Sequence, residues 1–196
     1  MTRIGFVRHG STAWNKEGRA QGNADIPLDE EGLFQASKLA ERLSNENWDF
    51  IYSSDLLRAK QTAEIIGNKM GNKQVLLEQR LREVGGGQIE GTIEQERVTK
   101  WGSNWRELDL GIEKAESVIE RGQSFIDEVT KNHHSQNILI VSHGGFIKYL
   151  LKELVPHLDL EASIKNTSLT KLLKTTDGWD WELFNCSSHL DDVVKN

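Results

Sequence analysis

Two histidines, two arginines and a glutamate stand where short apolar runs give way to loops. Arg8-His9-Gly10 follows the run at residues 4–7, and Ser53-Ser54 follows the run at 50–52, with Arg58 one helical turn further on. Glu83 lies in the loop after residues 75–77, and His143-Gly144-Gly145 follows residues 138–141. Such residue types suit phosphoryl transfer. Two guanidiniums can clamp phosphate oxygens bidentately and neutralise the charge that spreads over them in the transition state. A neutral imidazole, oriented by a hydrogen bond on its other nitrogen, can attack phosphorus and carry the group covalently. A carboxylic acid can protonate the leaving oxygen and then deprotonate the attacking water. Gly10 and Gly144 beside the histidines let the backbone approach an anion closely. No Asp/His cluster has metal-ligand spacing, so the arginines and histidines would do a metal ion's electrostatic work.

These side chains can meet only if the apolar runs are strands of one sheet. The run at 138–141, Ile-Leu-Ile-Val, is apolar on both faces, as a central parallel strand should be. From Asp29, a plausible N-cap, Leu33, Ala36, Leu39, Ala40 and Leu43 recur at helical spacing. A Ser54-Asp55 cap should open a second helix through Met70. Residues 92–106 read as irregular helix, 113–131 as a longer one, and a last helix follows Ser142-His143-Gly144-Gly145 through Leu154. Two strands at 169–174 and 179–184 flank Thr175-Thr176-Asp177-Gly178, a hairpin turned at Asp-Gly. Strands alternating with helices predict an α/β, three-layer αβα architecture with a mostly parallel sheet and an antiparallel edge hairpin. Ligands bind such sheets where strands end and helices begin. No repeat or linker interrupts the chain, so residues 1–196 read as one domain, with the last dozen as a tail that frays.

Composition narrows the partners. The 196 residues are 37% hydrophobic and 28% charged, an ordinary globular balance. A formal charge of −6 argues against nucleic-acid binding, which needs a basic surface. The lone Cys186 excludes an intramolecular disulfide and cysteine-clustered metal sites. No segment reads as an export signal or membrane span, which makes a reduced, cytoplasmic protein the expectation. Oligomeric state stays open.

Four blocks carry a family resemblance. Val7-Arg8-His9-Gly10-Ser11-Thr12-x-x-Asn15 resembles the opening signature of the histidine phosphatase superfamily, also called phosphoglycerate mutase-like. Ser53-Ser54-Asp55-Leu56-x-Arg58-Ala59-x-Gln61-Thr62-Ala63 resembles its second arginine motif. Leu81-Arg82-Glu83 with Glu90-Gly91 resembles its acid loop, and Val141-Ser142-His143-Gly144-Gly145 its second-histidine motif. Four blocks in family order are a specific signal. The resemblance implies that His9 is the phosphorylated nucleophile, that Arg8, Arg58 and His143 complete the phosphate pocket, and that Glu83 is general acid and base. It further implies phosphate contact by Asn15, substrate contact at Gln21 and Gly22, no metal or organic cofactor, and a lid over the site at about residues 84–112.

The family holds phosphatases and mutases. Mutases resemble one another at a Phe-Thr-Gly-Trp stretch, where this chain has Ala20-Gln21-Gly22-Asn23. They carry an Arg-His-Tyr-Gly-type stretch after the acid, where this chain reads Val84-Gly85-Gly86-Gly87. The expectation is therefore a phosphomonoesterase acting on small phosphate monoesters and resembling broad-specificity bacterial phosphatases. The alternatives are a phosphoglycerate mutase, a narrow sugar-phosphate phosphatase, or a non-catalytic phosphate-binding module. Leu110-Gly111-Ile112-Glu113-Lys114 stands where relatives show a Pro-Gly-Gly-Glu-Ser-like helix start, which questions the entry to the long helix.

Several residues have plainer readings. His133, His134, His157 and His189 lie in polar or terminal stretches and are expected at the surface. Trp101 and Trp105, one turn apart, are expected to pack the lid, with the rival that one faces the pocket. Arg82 and Lys148 are expected on solvated faces, residues 85–87 as a flexible loop, and Asn166-Thr167-Ser168 as a non-catalytic loop.

Overall fold

Strands β1 (Arg3–Arg8) and β4 (Asn137–Ser142) run side by side and parallel at the centre of the computed structural model, which describes residues 1–193. Their register pairs Arg8 with Ser142, so the residues that follow, His9 and His143, leave the sheet as neighbours. β2 (Phe50–Ser53) continues the parallel set beyond β4, and β3 (Val75–Leu77) forms one edge. On the other side β5 (Leu169–Lys174) and β6 (Trp179–Cys186) run antiparallel, giving the order β3-β2-β4-β1-β5-β6. The α/β sheet with its edge hairpin is as the sequence pattern predicts.

Alternation along the strands sorts the core into two layers. Ile4, Phe6, Ile138 and Ile140 face α5 (Ala115–Asn132) and α6 (Gly144–Leu154). Val7, Ile51, Leu139 and Val141 face α2 (Glu30–Leu43) and α3 (Leu57–Lys69). Each fully buried Ile or Leu contributes about 1.5–3 kcal/mol, so removing one from β4 would weaken the scaffold under the site. Gly5 is required by packing: a Cβ there would lie 2.4 Å from the Trp48 ring.

Four local features differ from expectation. The N-terminus of α3 is not capped by Asp55, whose carboxylate is taken by Arg82; Asp25 accepts the Leu57 N–H at 2.6 Å instead. α5 starts at Ala115 because Glu113 turns back to Gly85 and Arg121 and supplies no cap. A short helix α1 (Ala13–Glu17) follows β1, closed by a capping box between Thr12 and Asn15. The expected irregular helix resolves into α4 (Glu94–Trp101) and a 3₁₀ turn at Trp105–Glu107.

The tail expectation is also corrected. β6 extends to Cys186, and a 3₁₀ segment, Ser188–Val193, follows, with Ser188 accepting from Arg42 of α2 at 3.3 Å. The expected fraying over the last three residues falls outside the described ones.

Candidate active site

Every predicted site residue sits at the carboxyl edge of the parallel strands. His9 donates its backbone N–H to the Ser142 carbonyl, which ties the two histidine turns together. The His9 ring is buried, and its Nδ1 lies 2.7 Å from the Gly10 carbonyl. A carbonyl only accepts, so Nδ1 carries the proton and Nε2 presents a lone pair. Burial, then the charges of Arg58 and Arg8, hold the His9 pKa well below its usual value. The imidazole is therefore neutral at pH 7.

Arg58 is wholly buried, and its guanidinium is aimed by three acceptors. Nη1 donates to the Ala24 carbonyl and Nη2 to that of Gly22, both at 2.8 Å, while Nε lies 3.3 Å from His9 Nε2. Burial lowers its pKa to about 10, so it stays charged. Arg8 is held by the Ile164 carbonyl at 2.6 Å, and its buried Nε has no partner among the described residues. Gly144 lies against this side chain: a Cβ there would come within 3.2 Å of Arg8 Nε.

Glu83 approaches from the loop after β3. Its Oε1 accepts N–H groups of Val84 at 2.9 Å and Phe146 at 2.8 Å, and Oε2 accepts that of Gly145 at 3.2 Å. The carboxyl group is thereby anchored in the first turn of α6, where orphan backbone donors converge. A Cβ at Gly145 would lie 2.7 Å from Glu83 Oε1, so glycine is needed there.

A cavity of about 280 Å³ opens over these groups, walled by Arg8, His9, Asn15, Gln21, Gly22, Arg58 and Glu83. His143 and Gly144 sit behind that wall, with the His143 ring 5.2 Å from that of His9. The structure thus brings all nine predicted residues together. Asn15 Oδ1 accepts from the backbone N–H of Thr12 at 3.2 Å, and Gln21 Oε1 accepts the Thr12 hydroxyl at 3.1 Å.

The cavity wall also includes Arg19, Val84, Ile89 and Ile112, which the sequence does not mark as site residues. Arg19 is bound by Glu17 and Glu96. Trp101 and Trp105 do not line the cavity. Trp105 is buried between the guanidiniums of Arg97 and Arg106, and its Nε1 donates to Glu94 at 3.0 Å. Trp105 therefore packs within the 84–112 segment, and Trp101 is half-buried beneath Lys100, so the rival expectation that one of them faces the pocket is not met.

Asn166, read as part of a non-catalytic loop, donates its Nδ2 to the His9 carbonyl at 2.9 Å. The residues 85–87 are pinned rather than free, with Gly85 N–H on Glu113 and Gly86 N–H on Glu90, both at 2.9 Å. Two histidines expected at the surface are half-buried. His133 stacks on Phe50 and bonds the Tyr52 hydroxyl at 2.9 Å, and His189 is half-buried against Thr167 at 3.1 Å. Burial brings the His189 pKa down to about 4. His134 and His157 are exposed as expected.

A parallel α/β edge that gathers a neutral imidazole, two buried guanidiniums and an anchored carboxyl group is an arrangement suited to phosphoryl transfer. The chain belongs to the histidine phosphatase superfamily (branch 1), whose family model matches residues 4–187. It is 34% identical to phosphoglycerate mutase-like protein 4 of Arabidopsis thaliana, over 97% of this chain and 87% of that one. To the uncharacterized phosphatase PhoE of Bacillus subtilis (strain 168) it is 32% identical over the whole of both chains. Among solved structures, mycobacterial glucosyl-3-phosphoglycerate phosphatase complexed with VO3 superposes with a TM-score of 0.84 at 29% identity, covering 94% of this chain and 99% of that one. Among the described residues no helix is long and apolar enough to cross a membrane.

Proposed function

We propose that this chain is a phosphomonoesterase that hydrolyses small phosphate monoesters through a phosphohistidine on His9. The observation that carries this reading is the His9 ring, with Nδ1–H committed to Gly10 and the Nε2 lone pair beside Arg58. In the first step Nε2 attacks phosphorus in line with the ester oxygen. The P–O bond breaks, and Glu83, entering as the carboxylic acid, gives its proton to the leaving alcohol. Arg8 and Arg58 neutralise the equatorial oxygens, with His143 and Asn15 completing the pocket. In the second step the Glu83 carboxylate takes a proton from water, whose oxygen attacks phosphorus and releases phosphate and neutral His9. Gln21, Gly22 and Gly144 shape the pocket around the substrate.

Hydrolysis is favoured over phosphoglycerate mutation by the wall after the acid. A mutase must hold a phosphoglycerate carboxylate while the group reorients. Here residues 85–87 are glycines whose N–H groups at Gly85 and Gly86 are already bonded to Glu113 and Glu90. Residues 84–112 act as a lid that supplies Ile89 and Ile112 to the cavity, and 280 Å³ suits a small substrate. The test is a panel of phosphomonoesters assayed for phosphate release, beside a mutase assay. Phosphate release should dominate; isomerisation of phosphoglycerates far faster than release sinks the reading.

A further inference from the structure

Ser54 is wholly buried at the end of β2, where its backbone N–H is fixed to the Val141 carbonyl at 3.0 Å. The Oγ has two neighbours: the Leu56 N–H donates to it at 3.3 Å, and His143 Nε2 lies 2.9 Å away. Across the ring, His143 Nδ1 is buried and has no hydrogen-bond partner among the described residues. Burial, then the charges of Arg58, His9 and Arg8, hold the His143 pKa well below its usual value. A neutral imidazole has one N–H and one lone pair, so the Ser54 bond decides which nitrogen is which.

The two tautomers have unequal consequences. If Nε2 carried the proton it would donate to Ser54, whose own hydrogen would then have no acceptor among the described residues. The lone pair of Nδ1 would also be left buried close to a phosphate pocket, where it repels anionic oxygen. If instead the Ser54 hydroxyl donates to Nε2, its oxygen still accepts from Leu56 and its bonding is complete. The proton then sits on Nδ1, leaving one buried donor beside Arg8 and Arg58 for an anion to satisfy.

We propose that Ser54 is a positioning residue that fixes His143 as the Nδ1–H tautomer, making it a hydrogen-bond donor to the transferring phosphoryl group. The proposal rests on the phosphomonoesterase reading above for the identity of that anion. Ser54 touches no reacting atom and acts only through His143, as partners that set imidazole tautomers do at other sites.

The test uses full-length protein carrying ¹⁵N-histidine, with the protonated ring nitrogen read from long-range ¹H–¹⁵N spectra at pH 7. The His143 signals are assigned by their loss in His143→Gln. Wild type should show the proton on His143 Nδ1. Ser54→Ala should move it at least partly to Nε2, lower kcat/KM about 10–100-fold and weaken inhibition by inorganic phosphate to a similar degree. Ser54→Thr, which keeps the hydroxyl, should restore all three, and the His9 Nδ1–H should be unchanged throughout. A wild-type proton on Nε2 overturns the proposal, as does a Ser54→Ala enzyme that keeps both tautomer and rate. Should Ser54→Ala not fold, the wild-type spectrum still decides. Wild type that releases no phosphate contradicts the hydrolase reading alone, because the tautomer is read without turnover.

Discussion

The Nε of Arg58 lies 3.3 Å from Nε2 of His9, so the unprotonated ring nitrogen faces a cation. Burial first, and then this charge, keeps the imidazole neutral. In the proposed mechanism Arg58 would therefore affect both the charge of the attacking imidazole and the charge of the transition state.

Replacing Arg58 with glutamine separates these effects. kcat/KM should fall about 10²–10³-fold through lost transition-state stabilisation. Arg58 is one of the causes lowering the His9 pKa, after burial, so its removal should raise that pKa. A higher pKa protonates the nucleophile earlier on acidification, and the acid limb of the kcat/KM profile should move to higher pH. A limb that stays put or moves to lower pH contradicts the placement.

Glu83→Gln keeps the shape of the side chain and an oxygen for the N–H groups of Val84 and Phe146. Turnover of alkyl phosphates should drop about 10²–10⁴-fold. An aryl phosphate, whose leaving group needs little protonation, should still phosphorylate His9. With no base for the second step, a burst should then precede slow release in rapid-quench traces.

His9, His143 and His189 all have folded-state pKa values below the unfolded one, about 6.5. The folded state then binds fewer protons, so its stability is fully present above pH 6.5 and falls as the pH drops below it. For His189 the loss continues down to about pH 4. Thermal unfolding followed from pH 7.5 to 5 should show Tm decreasing, with a shallower slope in His189→Gln. A slope unaltered by that substitution would count against a half-buried neutral His189.

Trp105 is a packing residue and Ile89 a cavity residue. Trp105→Ala should cost about 3–5 kcal/mol of stability, measured by urea unfolding. Ile89→Ala should leave stability nearer wild type and change the kcat/KM ratio between aryl and small polar phosphoesters. A Trp105→Ala enzyme that is stable but altered in that ratio would reverse the two assignments.

What could be read from the sequence was what is local in the chain. The apolar run at 138–141, the histidines directly after β1 and β4, and Arg58 one turn into α3 each sit within a few residues of the element that positions them. The Thr12-x-x-Asn15 capping box was equally local and legible, although α1 was not drawn from it. The Asp25 cap on Leu57 spans 32 residues, and the Asn166 contact with the His9 carbonyl spans 157. Neither leaves a periodic signal. The glycines at 85–87 suggest freedom when read alone. Only the fold brings Glu113, 28 residues away, onto Gly85. His189 looked terminal and polar until β6 carried it back against Thr167.

The central claim is that His9 carries phosphate covalently. The most direct measurement incubates the enzyme with a monoester labelled in its phosphoryl group, quenches under denaturing conditions that preserve phosphohistidine in alkali, and locates the label by peptide mapping. Label on His9 in wild type and none in His9→Ala is the predicted result. Label retained in His9→Ala, or wild type that releases phosphate by rapid quench with no labelled residue, would contradict it.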